Sequence, residues 1–343
     1  MQQVVLLEPG RFALRDVAPP RPGEGEALVR VHRIGVCGTD LHAYAGRQPF
    51  FTYPRVLGHE LAVTVEAVPA GDTRVRIGDL CAVRPFLNDP QSRATLRGRP
   101  NCCESLRVLG VHVDGGMGEL LAVETRFLHP VPDLDQEAAA LIEPLSIGCH
   151  AVGRGRPTPE DRTLVIGAGP IGLAAAYWAR RAGAGRVAVV ARSRRREALA
   201  MTAGADAFLT SDVEGGVPAA AAAALGGAPE HVIECAGMPG MLELAVNSVA
   251  RRGLVSVLGL CATADPYPPA VALIKEVDLR YSVLYDLGEY QISVDALERD
   301  GAPIAAMVTE TVSLDQLPAT FDQLLRGAPQ CKVQIDPWAA ASG

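Results

Sequence analysis

Residues 162–172 read R-T-L-V-I-G-A-G-P-I-G: a short apolar strand breaks into glycines and runs straight into a stretch rich in Ala, Leu and Trp up to residue 181. Strand, G-x-G-x-x-G turn and helix in that order form a glycine fingerprint for a dinucleotide pyrophosphate, with Gly167, Gly169 and Gly172 at the glycine positions and Pro170 and Ile171 between them. Working outward, 186–190 (R-V-A-V-V), 231–235 (H-V-I-E-C) and 254–258 (L-V-S-V-L) read as further strands. Residues 196–203 read as a helix, and the alanine-rich piece 218–225 as a surface or packing helix. Strands and helices alternating at this length predict an α/β unit over 151–292, a doubly wound parallel sheet with right-handed crossovers.

The chain before this unit has a different texture. Short apolar runs at 4–7, 27–34, 62–68 and 79–83, parted by Gly and Pro, read as strands without a long helix among them. They predict a mostly β, largely antiparallel domain over 1–150 whose loops carry side chains into a site. After about residue 293 the chain reads as loops and short elements, with 330–335 (Q-C-K-V-Q-I) as a last strand that rejoins the first domain.

That first domain holds C-G-T-D-L-H at 37–42 and G-H-E at 58–60. Cys37 offers a thiolate, His59 an imidazole and Glu60 a carboxylate, which is ligand chemistry for zinc. Cys37 and His59 are too far apart in sequence for a zinc-finger pair. Glu143, in A-L-I-E-P-L-S, is a further candidate, because an acid inside an apolar run has to be paired or metal-bound. Three protein ligands with one open position make a catalytic zinc site, where the metal polarises an alcohol oxygen and lowers its pKa. Spacing leaves open which of Glu60 and Glu143 ligates.

Composition narrows the classes. A chain of 343 residues, 48% hydrophobic and 21% charged, has material for two domains with proper cores. Its formal net charge of -7 argues against nucleic-acid binding, and no apolar run is long enough to span a membrane. The start, M-Q-Q-V-V-L-L-E-P, lacks the features of a signal peptide, which predicts a cytoplasmic location. The eight cysteines are scattered and read as reduced thiols.

Together C-G-T-D-L-H, G-H-E, D-G-G-M-G-E (114–119), E-P-L-S-I-G (143–148) and V-I-G-A-G-P-I-G (165–172) resemble the zinc-dependent medium-chain dehydrogenase superfamily over nearly the whole chain. Within it the chain is similar to the sorbitol, threonine and sugar-acid branch, and Q-P-F-F-T-Y-P-R-V-L-G-H (48–59) resembles bacterial galactonate-type oxidoreductases. The resemblance implies a GroES-like catalytic domain beside a Rossmann domain. It implies Cys37, His59 and Glu143 as metal ligands, with Glu60 a ligand that exchanges with water. Thr39 becomes the hydroxyl next to the substrate oxygen, His42 the outer end of a proton relay through the cofactor ribose, and Asp40 the carboxylate that orients the metal-bound histidine. A homodimer or homotetramer is implied too, with strand 254–258 and the segment after it pairing across a two-fold axis.

Two departures from the family pattern are informative. Many relatives close a structural zinc site with four cysteines, and counting back from Cys103 the first three positions here are Asp89, Ser92 and Thr95. Those side chains do not replace thiolates, so one catalytic zinc per chain is expected, with Cys102 and Cys103 ordinary thiols. An NAD-specific site puts an acid about 20 residues past the fingerprint to hold the ribose. Ala191 stands there, followed by Arg192-Ser-Arg-Arg-Arg196, and Arg192, Ser193 and Arg196 suit a 2′-phosphate. NADP(H) is therefore expected over NAD(H).

Tyr44, Arg47, Gln48, Phe50 and Phe51 follow the zinc loop as candidate pocket residues, with Arg47 for a carboxylate and Gln48 for a hydroxyl. The expected substrate is a polyol, sugar or sugar acid oxidised at a secondary hydroxyl. One alternative is an NADPH-dependent biosynthetic reductase of a specialised ketone or aldehyde. Others are a catalytically inactive dinucleotide-binding protein and a zinc-free enone or quinone reductase, neither of which needs Cys37 and His59.

Overall fold

A computed structural model describes residues 1–49 and 51–340. The chain divides into two compact units, one of residues 1–143 with 290–343 and one of residues 144–289. The E-P-L-S-I-G run straddles the first division, because Glu143 and the residues after it share the helix Ile142–Gly155.

The first unit is built on a seven-stranded sheet in the order Val308–Val312, Lys332–Ile335, Glu26–Gly35, Glu60–Ala67, Leu80–Val83, Leu128–Pro130, with Leu120–Glu124 also paired to Glu26–Gly35. All its pairings are antiparallel except Val308–Val312 with Lys332–Ile335. Ala27, Val29 and Val31 alternate inward and, past a register shift, Ile34 joins them in a core completed by Leu61, Val63, Val65, Phe321, Val333 and Ile335. Residues from both chain ends thus share one core.

The second unit holds six parallel strands in the order Ala207–Thr210, Arg186–Ala191, Arg162–Ile166, His231–Glu234, Leu254–Val257, Asp278–Tyr281. The order reverses beside Arg162–Ile166, the strand that feeds the glycine turn, which is where open α/β sheets place ligands. The alanine-rich helix Val217–Leu225 buries Val217, Ala221 and Leu225, so it packs against the sheet. Gly148 lies so close to the helix Pro170–Arg181 that a Cβ there would come within 2.9 Å of the Ala174 backbone. Trp178 Nε1 donates to Leu145 O at 2.9 Å in the same contact.

Two expectations need correction. The chain after residue 293 is not short elements alone: the 14-residue helix Leu287–Asp300 runs through it, burying Tyr290, Ser293, Val294, Ala296 and Leu297. Serine and alanine on its inner face weaken the apolar periodicity that marks a helix. Strand Leu254–Val257 is paired on both sides, so on its side of the sheet the edge strand is Asp278–Tyr281, in the segment that follows it. Among the described residues no helix is long and apolar enough to cross a membrane.

His231 shows what the parallel sheet demands of a polar group. It is 4% exposed, its Nε2 lies 2.8 Å from Ser256 Oγ, and burial pushes its pKa down to about 4. A histidine whose folded pKa is depressed stabilises the fold above its unfolded pKa of about 6.5 and loses that stability as pH falls towards 4. Urea titrations from pH 7 to 4 should show a decline in wild-type stability of which on the order of 3 kcal/mol disappears in His231→Gln.

Candidate metal and catalytic site

Cys37 caps the short helix Gly38–Tyr44, and its backbone N–H donates to Asp40 Oδ2 at 2.9 Å. His59 and Glu60 enter from the start of strand Glu60–Ala67, directly after Gly58, whose φ of +95° favours glycine. The side-chain donor atoms of Cys37, His59 and Glu60 all lie within 4.8 Å of one another. The structure therefore brings together three of the four expected ligands. Glu143 lies outside that triple but is buried and electrostatically coupled to His59 and Glu60, with its pKa pushed up to about 7 chiefly by burial.

The surroundings suit a metal cation. Burial works against a charged His59, yet Cys37, Asp40 and Glu143 outweigh it and hold its pKa well above the ordinary value. Side chains that are anionic when ionised thus crowd around His59, a setting that favours a cation. His59 Nδ1 and Asp40 Oδ1 are buried without hydrogen-bond partners among the described residues and stand 3.7 Å apart, beyond hydrogen-bond range. Asp40 is thus beside His59, where an orienting carboxylate belongs.

What seats His59 is the D-G-G-M-G-E run, whose structural part its sequence did not disclose. Gly115 N donates to Val56 O at 2.8 Å, Gly116 N to Gly58 O at 3.0 Å and Met117 N to Leu57 O at 2.9 Å, while Asp114 Oδ1 accepts from Val56 N at 3.0 Å. A Cβ on Gly115 would fall 2.3 Å from Gly58 O, so only glycine permits this backbone contact. The repeated glycines were the available signal. Lys332 was missed outright: its Nζ donates to both oxygens of Glu60, at 2.7 and 2.6 Å.

Thr39 and His42 share one face of the helix Gly38–Tyr44, three residues apart and both partly exposed. Burial and then Arg47 lower the His42 pKa, so at neutral pH its ring is uncharged and has a lone pair for a proton. Tyr44 belongs to the core instead of a pocket: it is 5% exposed, stacks on Phe12, meets Phe321 edge-on and bonds Asp322 at 3.2 Å. Arg47 is exposed, Gln48 is partly buried, and Phe50 lies outside the described residues. In the lobe that carries Cys103, its sulfur accepts from Asp89 N at 3.3 Å and lies 3.5 Å from Ser105 Oγ. Ser92 Oγ and Thr95 Oγ1 pair at 2.9 Å, and Cys102 is exposed.

In the second unit, Gly167 has φ +107°, and a Cβ on Gly172 would fall 1.9 Å from Gly167 O. A Cβ on Gly169 would meet nothing within 4 Å, so that glycine leaves space which the protein itself does not fill. No side chain caps the helix Pro170–Arg181 that follows. Arg196 Nη1 donates to Ala168 O at 3.3 Å inside this turn, whereas Arg194 is paired with Glu197 at 2.6 Å. Arg192 and Ser193 are exposed just past Ala191.

Residues 23–133 match the family model described as the alcohol dehydrogenase GroES-like domain, and residues 170–299 match that of the zinc-binding dehydrogenases. The chain belongs to the zinc-type medium-chain alcohol dehydrogenases. Within them the dehydrogenase falls in the sorbitol and galactonate branch. It is similar to L-galactonate-5-dehydrogenase of Escherichia coli K12, 38% identical over 261 residues covering 76% of each chain. It is also similar to human sorbitol dehydrogenase, 31% identical over 331 residues covering 94% of this chain and 92% of that one. Among solved structures, the alcohol dehydrogenase RspB of Escherichia coli CFT073, in complex with NADH, superposes with a TM-score of 0.89 at 28% identity over 98% of this dehydrogenase and 99% of that chain.

The glycine seat under His59 is testable apart from the ligands. Gly115→Ala should lower stability by about 1–3 kcal/mol, the usual cost of overpacking. It should also speed zinc loss to a chelator, measured by indicator release, because Gly58 has to shift and His59 with it.

Proposed function

We propose that this dehydrogenase oxidises a secondary hydroxyl of a polyol, sugar or sugar acid with NADP⁺ and reduces the corresponding ketone in reverse. What carries the reading is the convergence of the Cys37, His59 and Glu60 donor atoms in a chain similar to L-galactonate-5-dehydrogenase and sorbitol dehydrogenase. Cys37, His59 and Glu143 would hold one zinc ion, with Glu60 as the exchanging ligand. Zinc there would polarise the substrate oxygen and lower the pKa of its hydroxyl. Thr39 would relay the hydroxyl proton, taking it up as it gives away its own, and uncharged His42 would accept the relayed proton and pass it towards solvent. Gln48 Oε1 is a buried acceptor without a hydrogen-bond partner among the described residues, which favours a substrate that offers a further hydroxyl. Exposed Arg47 suits a sugar-acid carboxylate.

The nicotinamide would accept the hydride. Gly167, Gly169, Pro170, Ile171 and Gly172 shape the pyrophosphate turn, with the open space at Gly169 as its clearest mark. Ala191 brings no carboxylate to repel a 2′-phosphate, and the exposed Arg192 and Ser193, with Arg196 held at the glycine turn through Ala168 O, support binding of that group. The same residues support a second reading, NADPH-driven reduction of a specialised carbonyl.

A panel of polyols, aldoses, aldonates, threonine and simple secondary alcohols, each with NADP⁺ and NAD⁺ and a chelator-treated control, should give one strong chelator-sensitive rate on a sugar-like class with NADP⁺. Equal or better efficiency with NAD⁺ would remove the cofactor assignment. Silence throughout from zinc-loaded protein would favour the carbonyl reductase. Asp89, Ser92 and Thr95 offer no thiolates for a second, structural zinc, so elemental analysis should find one zinc per chain, and Cys37→Ala should retain neither metal nor activity.

The sheet edge supports self-association as a dimer or tetramer. Tyr281 on the edge strand, with Leu273, Ile274 and Val283 near it in sequence, is 56–78% exposed, an apolar group beside unpaired backbone. Native mass should correspond to a dimer or tetramer, and Tyr281→Asp should shift it towards monomer.

A further inference from the structure

Lys332 meets the metal cluster from a strand that contains none of the recognised motifs. Its ammonium donates to Glu60 Oε1 and Oε2 and, at 3.0 Å, to Val36 O, with 1% of the residue exposed. Those contacts engage all three of its protons. The reach spans a whole strand: Lys332–Ile335 and Glu60–Ala67 flank Glu26–Gly35, whose last residue, Gly35, is directly opposite Glu60. A Cβ on Gly35 would fall 1.9 Å from Glu60 Oε2, so the missing side chain is what makes room for the carboxylate.

Glu60 therefore has two claims on it. Its carboxylate stands in one cluster with the Cys37 and His59 donors, yet both its oxygens are given to an ammonium. A carboxylate with its charge balanced by Lys⁺ is a weaker ligand than a free one. Without that balance a buried carboxylate is costly, and the metal becomes the cation that compensates it. Filling the last position with Glu60 would turn an open catalytic site into a closed one of the structural kind.

We propose that Lys332 is a positioning residue that competes with zinc for Glu60, holding the carboxylate off the metal so that one coordination position stays open to substrate. The proposal rests on the zinc site assigned above.

The test compares wild type, Lys332→Met, Lys332→Arg and the double variant Glu60→Met/Lys332→Met, each refolded with zinc and with cobalt. Lys332→Met should bind zinc more tightly by about tenfold or more in chelator competition, the scale on which residues behind metal ligands act. Its cobalt form should lose the change in visible absorption that imidazole produces in wild type, because no position remains open. Lys332→Arg, which keeps the cation, should restore both behaviours. Zinc affinity equal to or below wild type in Lys332→Met, or an undiminished cobalt response, would overturn the proposal.

Should Lys332→Met not fold, the double variant decides, since replacing both partners of a buried pair by apolar groups is commonly tolerated. It should hold zinc within about tenfold of wild type and keep the imidazole response, and a larger loss would show that Glu60 is a resident ligand. Wild type that takes up no zinc would sink the metal site itself. Zinc-loaded wild type with an unaltered Lys332→Met would sink the role of Lys332 alone.

Discussion

A carboxylate with no exposed surface, Glu60, is sustained in this fold by an ammonium on the other side of the neighbouring strand. Removing one partner of such a pair typically costs about 3–5 kcal/mol, because the other charge is left buried and alone. Much of the first unit is arranged around that constraint. Gly35 gives up its side chain for it, strand Lys332–Ile335 has to dock beside Glu26–Gly35, and Phe321, Val333 and Ile335 join the core that fixes the docking. The metal cluster is then built at the end of a sheet whose registers leave its side chains little freedom.

The two functional regions meet their demands differently. At the metal cluster the problem is charge: Cys37, Asp40, Glu60 and Glu143 crowd into a volume from which water is largely excluded, and Lys332 and His59 balance them in part. At the glycine turn the problem is space. Gly172 is pressed against Gly167 O while Gly169 faces nothing, so one glycine serves the fold and the other leaves an opening.

Contiguous motifs were legible in the sequence because backbone geometry alone sets their meaning. The turn at 167–172 and the parallel strands of the second unit follow from local pattern, whereas Cys37 and His59 were picked out by the ligand chemistry of their side chains. Features that depend on distant pairing were not legible. Lys332 sits 272 residues from Glu60 and reads, in Q-C-K-V-Q-I, like a solvent-facing member of an alternating strand. Tyr44 looked like a loop aromatic beside the zinc motif, yet Phe12 and Phe321, from far along the chain, claim its ring. Glycines of the 114–119 run were a signal of close approach that went unread, because their partner, the turn at Gly58, lies far off in sequence.

Because the first unit takes strands from both ends of the chain, its metal cluster has a place in time as well as in space. During synthesis Cys37, His59 and Glu60 emerge early, the whole second unit follows, and only then does strand Lys332–Ile335 arrive to neutralise Glu60. A ribosome-bound chain that has completed its parallel sheet still lacks the lysine that its acid requires. Assembly of the site thus waits for residues made after the second unit, and a product that stops short of Lys332 leaves Glu60 without its balancing cation.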